Sequence, residues 1–340
     1  MTEPVRAALG RAIGFLEASQ RPNGELPIYA FAGNDPSRAS LDPSIFPSAL
    51  AAFSLSFWPP ARPLRERICD FLIAQMDADG LWRHWPSAHP SYRSLPADLD
   101  DTSCACAALA AGALPGPDNR ALLLANREAG GLFCTWFVPR MRWSGARHMA
   151  ATWRRVAHLP TLIAFFRQTS ASPGDVDAVV NANALFCLGA FPGDAAVVDH
   201  LVAVLREDRE RTCDKWYDNP FAIWYFLARA LAGRSEEGEA LLAAKLAVAT
   251  SNTPLDEALS LCAATALGLG PDGEAAFRLL RLQQPDGSWP AVALYHGGRT
   301  RLGDGGFAPV HRDTPHWGSE ALTTAFAVEA LARFLQMGER

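Results

Sequence analysis

Residues 98–114 read DLDDTSCACAALAAGAL. After three acids in four positions, the run holds only small and apolar residues to Leu114. A helix that is apolar on every side is buried. Acids at its start cap free N–H groups and meet the positive end of the helix dipole. Asp98, Asp100 and Asp101 therefore mark the N-terminus of an inner helix. Carboxylates this close cannot all ionise cheaply, so at least one keeps its proton at neutral pH and is a candidate general acid.

Working outward, the chain reads as helices separated by Gly/Pro turns, with no long alternating β-branched strands. Small, apolar segments recur at 44–57, 99–112, 177–190, 219–232, 255–268 and 319–335. Amphipathic, charged segments alternate with them at 5–19, 63–75, 195–206, 236–249 and 273–283. The third outer partner is 118–127 or 157–168, and the second fits better. Hairpins repeating every 45–60 or so residues stack on one another. Neither end of the chain looks like a polar capping repeat, so closure is expected. The reading is all-α: one domain over residues 1–340, an (α/α)6 barrel of six inner and six outer helices.

If each outer helix returns the chain to the same end, the inner N-termini share one mouth. Phe46, Ser48, the three acids, Asp175, Asp177, Asn181, Trp216, Tyr217, Asn219, Asp256, Glu257, Trp317, Ser319 and Thr323 fall there. Long loops at 20–43, 76–97, 128–156 and 284–318 feed that end, where function concentrates on a rigid scaffold. Asn181 and Asn183 interrupt an apolar inner helix, where unpaired amides are costly. One of them is expected to hydrogen-bond the acid cluster and select the oxygen that carries the proton. The spacing does not say which one points inward.

The chain is 49% hydrophobic and 20% charged, with 10 Trp and 18 Phe, so it can bury a large core. A net charge of -5 gives no support to nucleic-acid binding through a basic face. Seven cysteines without a C-x-x-C fit buried thiols in a reducing compartment. The opening segment is amphipathic rather than a signal peptide. No apolar run approaches a membrane span. A cytoplasmic protein is expected, with peripheral membrane contact open, as a monomer or homodimer.

Residues 283–289, QQPDGSW, form a Q-x-x-x-G-x-W pattern. QMDADGLW at 75–82 carries one extra residue, and QRPNGEL at 20–26 ends in Leu26. Gly permits the turn and the indole can stack on the neighbouring helix end, stapling adjacent hairpins. These repeats, with D-x-D-D-T opening an inner helix, resemble the squalene–hopene cyclase superfamily and its class II terpene cyclases. At this length the chain is similar to the single-domain bacterial members, some of which cyclise prenylated aromatic compounds.

The resemblance implies that Asp100 protonates a terminal alkene or epoxide of a linear isoprenoid, a prenylated aromatic acid or prenyl diphosphate, and starts a carbocation cascade. Asp98 and Asp101 would hold and orient it, and Thr102 could donate to a carboxylate. No cofactor is implied; Mg²⁺ enters only with a diphosphate substrate. Aromatic faces stabilise cations, and Trp82, Trp85, Trp216, Tyr217, Trp224 and Trp317 are the candidates. The cation-rich run 140–155, RMRWSGARHMAATWRR, offers Arg140, Arg142 and Arg147 to an anionic headgroup. Three other readings use the same barrel type. One is a non-catalytic isoprenoid-binding protein and another a glycosidase. The third is a zinc prenyltransferase β-like subunit, which would need Cys213, Asp214 and His311 or His316 as ligands.

Overall fold

The computed structural model describes residues 2–32, 35–139, 146–156, 158–270, 272–303 and 305–338. Six inner helices carry the small apolar segments: α2 (Ile45–Leu55), α4 (Leu99–Ala111), α8 (Ala178–Leu188), α10 (Pro220–Leu231), α12 (Pro254–Ala266) and α14 (Glu320–Gly338). Each packs on the next in chain order, and α14 returns to α2. The ring is closed. Every residue of α2 is buried, and so is nearly all of α8 and α10, because each is covered on both the barrel side and the outer side.

The outer layer holds α1 (Thr2–Ser19), α3 (Arg62–Gln75), α5 (Arg120–Ala125), α9 (Ala195–Arg206), α11 (Glu236–Val248) and α13 (Gly273–Arg281). The third outer position corrects the expectation. Short α5 takes it, with Leu123 in the main core and Arg120 donating to the Leu188 and Ala190 carbonyls at the end of α8. The preferred segment became α7 (Leu159–Gln168), which follows α6 (Ala146–Val156). Phe165 of α7 packs on Trp136, ring centroids 4.8 Å apart, in a small cluster apart from the main core. That helix covers the mouth.

The repeat loops staple the hairpins as expected. Gln283 donates to the Gly287 and Ala8 carbonyls, and the Trp289 indole donates to Leu279. Gly287 has φ 93°, and a Cβ there would lie 2.4 Å from the Arg11 carbonyl oxygen, so only glycine fits. In each repeat a backbone N–H docks on a hydroxyl in the first turn of an inner helix. Leu26 meets Ser48 (3.1 Å), Trp82 meets Thr102 (3.1 Å) and Trp289 meets Thr324 (3.0 Å). The extra residue in the second repeat displaces its glutamine, which accepts from Ser87 instead.

The all-α expectation holds for the barrel, but two of the long loops form a small antiparallel sheet. Its strands are β1 (Tyr29–Ala32), β2 (Asp35–Leu41), β3 (Ala293–His296) and β4 (His316–Gly318), in the order β2-β1-β4-β3. Tyr29 faces both Leu41 and Gly318, so the first and last loops of the chain are joined across the mouth. No helix among the described residues is long and apolar enough to cross a membrane.

Candidate active site

The inner N-termini do converge. Phe46 of α2, the acids of α4, Val180 of α8 and Trp216–Tyr217 before α10 line one cavity of about 420 Å³. The sheet contributes Tyr295, His296 and Trp317, and α7 contributes Phe165. The wall is mainly apolar and rich in aromatic rings. No Lys or Arg lines it among the described residues.

Each acid has a distinct position. Asp98 is the N-cap of α4 and its carboxylate accepts from the Asp101 amide at 2.8 Å. Thr102 donates to the Asp98 carbonyl, not to a carboxylate. Asp101 is buried with one carboxyl oxygen lacking any partner. Burial pushes its pKa well above the usual carboxylate range, and the adjacent Asp98 charge adds to this. Asp98 is raised too, mainly by burial and against its bonds to Asp101.

Asp100 is half-buried and faces the cavity. Asn183 Nδ2 donates to its Oδ1 at 2.7 Å, and Tyr217 Oη lies 2.8 Å from its Oδ2. Burial raises its pKa to about 7; the Asn183 bond opposes this, the Asp98 charge reinforces it, and the Tyr217 bond opposes it. Burial also holds the Tyr217 phenol well above its ordinary value, so it keeps its proton.

The Asn183 amide has only one workable orientation. Arg229 Nη2 lies 3.2 Å from Asn183 Oδ1, and a guanidinium has donors only. The amide oxygen must therefore face Arg229 and the NH2 must face Asp100. Arg229 is buried, stacked over Phe53 (4.6 Å) and Phe186 (4.4 Å), and donates to Tyr225 Oη at 3.0 Å. Tyr225 and Ser54 in turn donate to Glu329, which is paired with Arg333 at 3.0 Å. A line of buried polar groups thus runs from the barrel floor to the acid.

Asn181 does not join that line. Its oxygen accepts from the Phe133 amide and its nitrogen donates to the Phe133 and Asp177 carbonyls, which ties the 133 segment to α8. Asp175 and Asp177 are structural as well. Lys215, fully buried, donates to Asp175 Oδ2 (2.6 Å) and the Ser170 carbonyl (2.7 Å), while its amide and Thr135 Oγ1 bond Asp177.

Of the aromatic candidates, Trp85, Trp216, Tyr217 and Trp317 line the cavity. Trp82 does not: it is fully buried and its indole donates to the Leu72 carbonyl, as the repeat tryptophan should. Trp224 faces away, bonded to Glu210 Oε1 at 2.9 Å. Sequence reading missed Trp136, Phe165 and Tyr295 as wall residues, and it missed Arg229 and Lys215 as buried cations. Arg140 and Arg142 lie outside the described residues, as does the side chain of Arg147 on α6. At the far end of that run, Arg154 pairs with Asp79. Asn219 and Asp256 bond each other at 2.7 Å, and Glu257 pairs with Arg278; neither pair faces the cavity. Among the described residues no three His, Cys, Asp or Glu side chains gather as metal ligands, so Cys213, Asp214, His311 and His316 are not brought together as the zinc alternative would need.

No protein-family model matches the sequence, and no curated protein matches it significantly. Solved structures do match. The chain has the helical-barrel fold of the single-domain class II terpene cyclases. MstE from Scytonema, a type II terpene cyclase, superposes with a TM-score of 0.66 in a variant bound to geranylgeranyl dihydroxybenzoate, its substrate. It is 18% identical, over 99% of both chains. A protein from Actinoplanes scores the same at 20% identity, over 97% of this chain and 99% of that one. The ent-copalyl diphosphate synthase of Streptomyces platensis matches at TM-score 0.51 and 19% identity; 86% of this chain aligns to 51% of that larger one.

Proposed function

We propose that this protein is a class II terpene cyclase in which Asp100 protonates the terminal alkene or epoxide of a linear isoprenoid. The observation that carries this is the carboxyl of Asp100, turned into an aromatic cavity with one oxygen held by a group that can only donate. The carbonyl oxygen of a carboxylic acid is its stronger acceptor, so the oxygen that accepts from the Asn183 NH2 is the one favoured to stay unprotonated. The acidic proton therefore belongs to Oδ2, beside Tyr217, whose hydroxyl can donate or accept. Once the proton leaves, Asn183 and Tyr217 both donate to the carboxylate and stabilise it. The raised pKa keeps the proton in place until a substrate arrives.

The cations that follow travel along a wall of indole, phenol and phenyl faces, each worth about 0.5–2 kcal/mol to a nearby cation. Asp98 acts on Asp100 through charge rather than direct contact, and Asp101 holds Asp98 through its backbone amide. The proton comes from Asp100, so initiation requires no cofactor.

MstE is described with geranylgeranyl dihydroxybenzoate as its substrate and merosterolic acid A as its product. By analogy, a prenylated aromatic acid is our first substrate choice, ahead of a prenyl diphosphate. The test is incubation of purified protein with geranylgeranyl dihydroxybenzoate, geranylgeranyl diphosphate and farnesyl diphosphate, followed by mass spectrometry. Wild type should convert at least one into a cyclic product, and folded Asp100→Asn should convert none. Equal turnover by the two proteins, or binding without conversion by wild type, would refute the proposal.

A further inference from the structure

A cascade that ends in an alkene must give back the proton it took, so the cavity needs a base. Two imidazoles line it among the described residues, His84 and His296. His296 is held at one nitrogen, with Nδ1 2.8 Å from the Gly297 carbonyl; its Nε2 makes no hydrogen bond among the described residues and is turned toward Asp218 at 3.7 Å, a residue outside the cavity wall.

His84 is placed differently. Its ring meets Trp85 (5.6 Å), Tyr295 (5.8 Å) and Trp317 (6.1 Å) edge to face, and all three line the cavity. Nδ1 lies 3.3 Å from Ser44 Oγ. Ser44 stands at the N-cap of α2, where a serine hydroxyl ordinarily accepts from the helix backbone. Here it is fully buried and makes no capping bond. It is turned to the imidazole instead. Behind the ring, Asp42 accepts from the Trp317 indole at 2.7 Å and faces His89 Nε2 at 3.2 Å, and its charge acts on His84. Among the described residues, the hydrogen bond His84 makes is at Nδ1, which leaves Nε2 for the cavity that the ring lines.

We infer that His84 is the base that ends the cascade. Its Nε2 takes a proton from the carbon next to the final cationic centre, and the C–H electron pair becomes the new C=C bond. The Nδ1–H of the resulting imidazolium is accepted by Ser44 Oγ, and the Asp42 carboxylate offsets its charge. One proton enters from Asp100 and one leaves to His84, so the product is an isomer of the substrate. Burial holds the His84 pKa down to about 4, so the ring is neutral at physiological pH and has a lone pair free for a proton, which a carbocation gives up even to a weak base. The inference rests on the cyclase reading above.

The test uses whichever of the three probes wild type converts. Products of wild type, His84→Phe and His84→Gln are compared by chromatography and mass spectrometry. Phe preserves the aromatic edge contacts and Gln preserves polarity, and circular dichroism confirms folding of each. In both variants the wild-type alkene should fall at least about tenfold as a share of all cyclised product. Isomeric alkenes or an alcohol captured from water should replace it. An unchanged product pattern would overturn the inference. So would complete loss of cyclisation in both folded variants, because a terminating base acts after initiation. A wild-type product that is itself an alcohol would overturn it too, while leaving the cyclase reading intact. If wild type converts no probe, both fall together.

Discussion

Asp100 is costly to the fold when ionised. Between the ordinary carboxylate pKa and its own value of about 7, the folded protein holds a proton that the unfolded chain has released. Stability therefore falls as pH rises across that window and is lowest above it. Asn at this position keeps both contacts: its oxygen can accept from Asn183, and its NH2 can donate to Tyr217 in place of the acid proton. Folded Asp100→Asn should be more stable than wild type at pH 8, by roughly 2–4 kcal/mol. The gap should narrow steadily toward pH 4. Urea denaturation at several pH values measures this, and a variant no more stable at pH 8 would contradict the assigned shift. Wild-type kcat should fall about tenfold per pH unit above pH 7, as the acid form is lost.

The pairing of α8 with α10 sets the orientation of the Asn183 amide. If Arg229 acts through Asn183, removing it frees the amide to flip and moves the acid proton to the wrong oxygen. Arg229→Met should lower kcat by roughly 10–100-fold with little change in KM, yet by less than about 3-fold in an Asn183→Ala background. Additive effects would show that Arg229 only supports the barrel floor. The repeat loops make the opposite prediction for Trp82. Trp82→Phe loses one buried hydrogen bond, about 1–2 kcal/mol by thermal or urea denaturation, and leaves the product pattern unaltered.

These elements also show how far sequence reading could reach. The inner helices were legible because each is a continuous apolar run, and the acid cluster because it opens one of them. Asn183 could not be told from Asn181. α8 is buried on every side, so no polar face reveals its rotation. The Trp82 error was avoidable: the repeat already assigned its indole to a staple. Arg229 and Glu329 did leave a signal: Arg229 is a lone charge in apolar α10, Glu329 sits mid-way along α14 four residues before Arg333, and each must find a partner. The sheet left none. Its strands are short, and segments such as HWG and ALYH carry no alternation.

At the scale of the molecule, the barrel is closed at the sequence ends by α14 against α1 and α2, and at the mouth by the sheet. A third closure is Lys215, which ties the segment before α8 to the segment before α10. Its ammonium is fully buried between Asp175 and the Ser170 carbonyl. Asp175 also accepts from the Ser172 amide and the Trp136 indole, so this one carboxylate holds a cavity-wall residue in place. Such a pair adds little net stability over an apolar substitute, but breaking one side strands a buried charge. Lys215→Met should therefore cost about 3–5 kcal/mol. Asp175→Asn in the same chain removes the stranded charge and keeps an amide oxygen for Ser172 and Trp136. The double variant should recover at least half of the loss in urea denaturation. If the two losses simply add, the ion pair is not what braces the mouth, and the backbone bond from the Lys215 amide to Asp177 would have to carry that role.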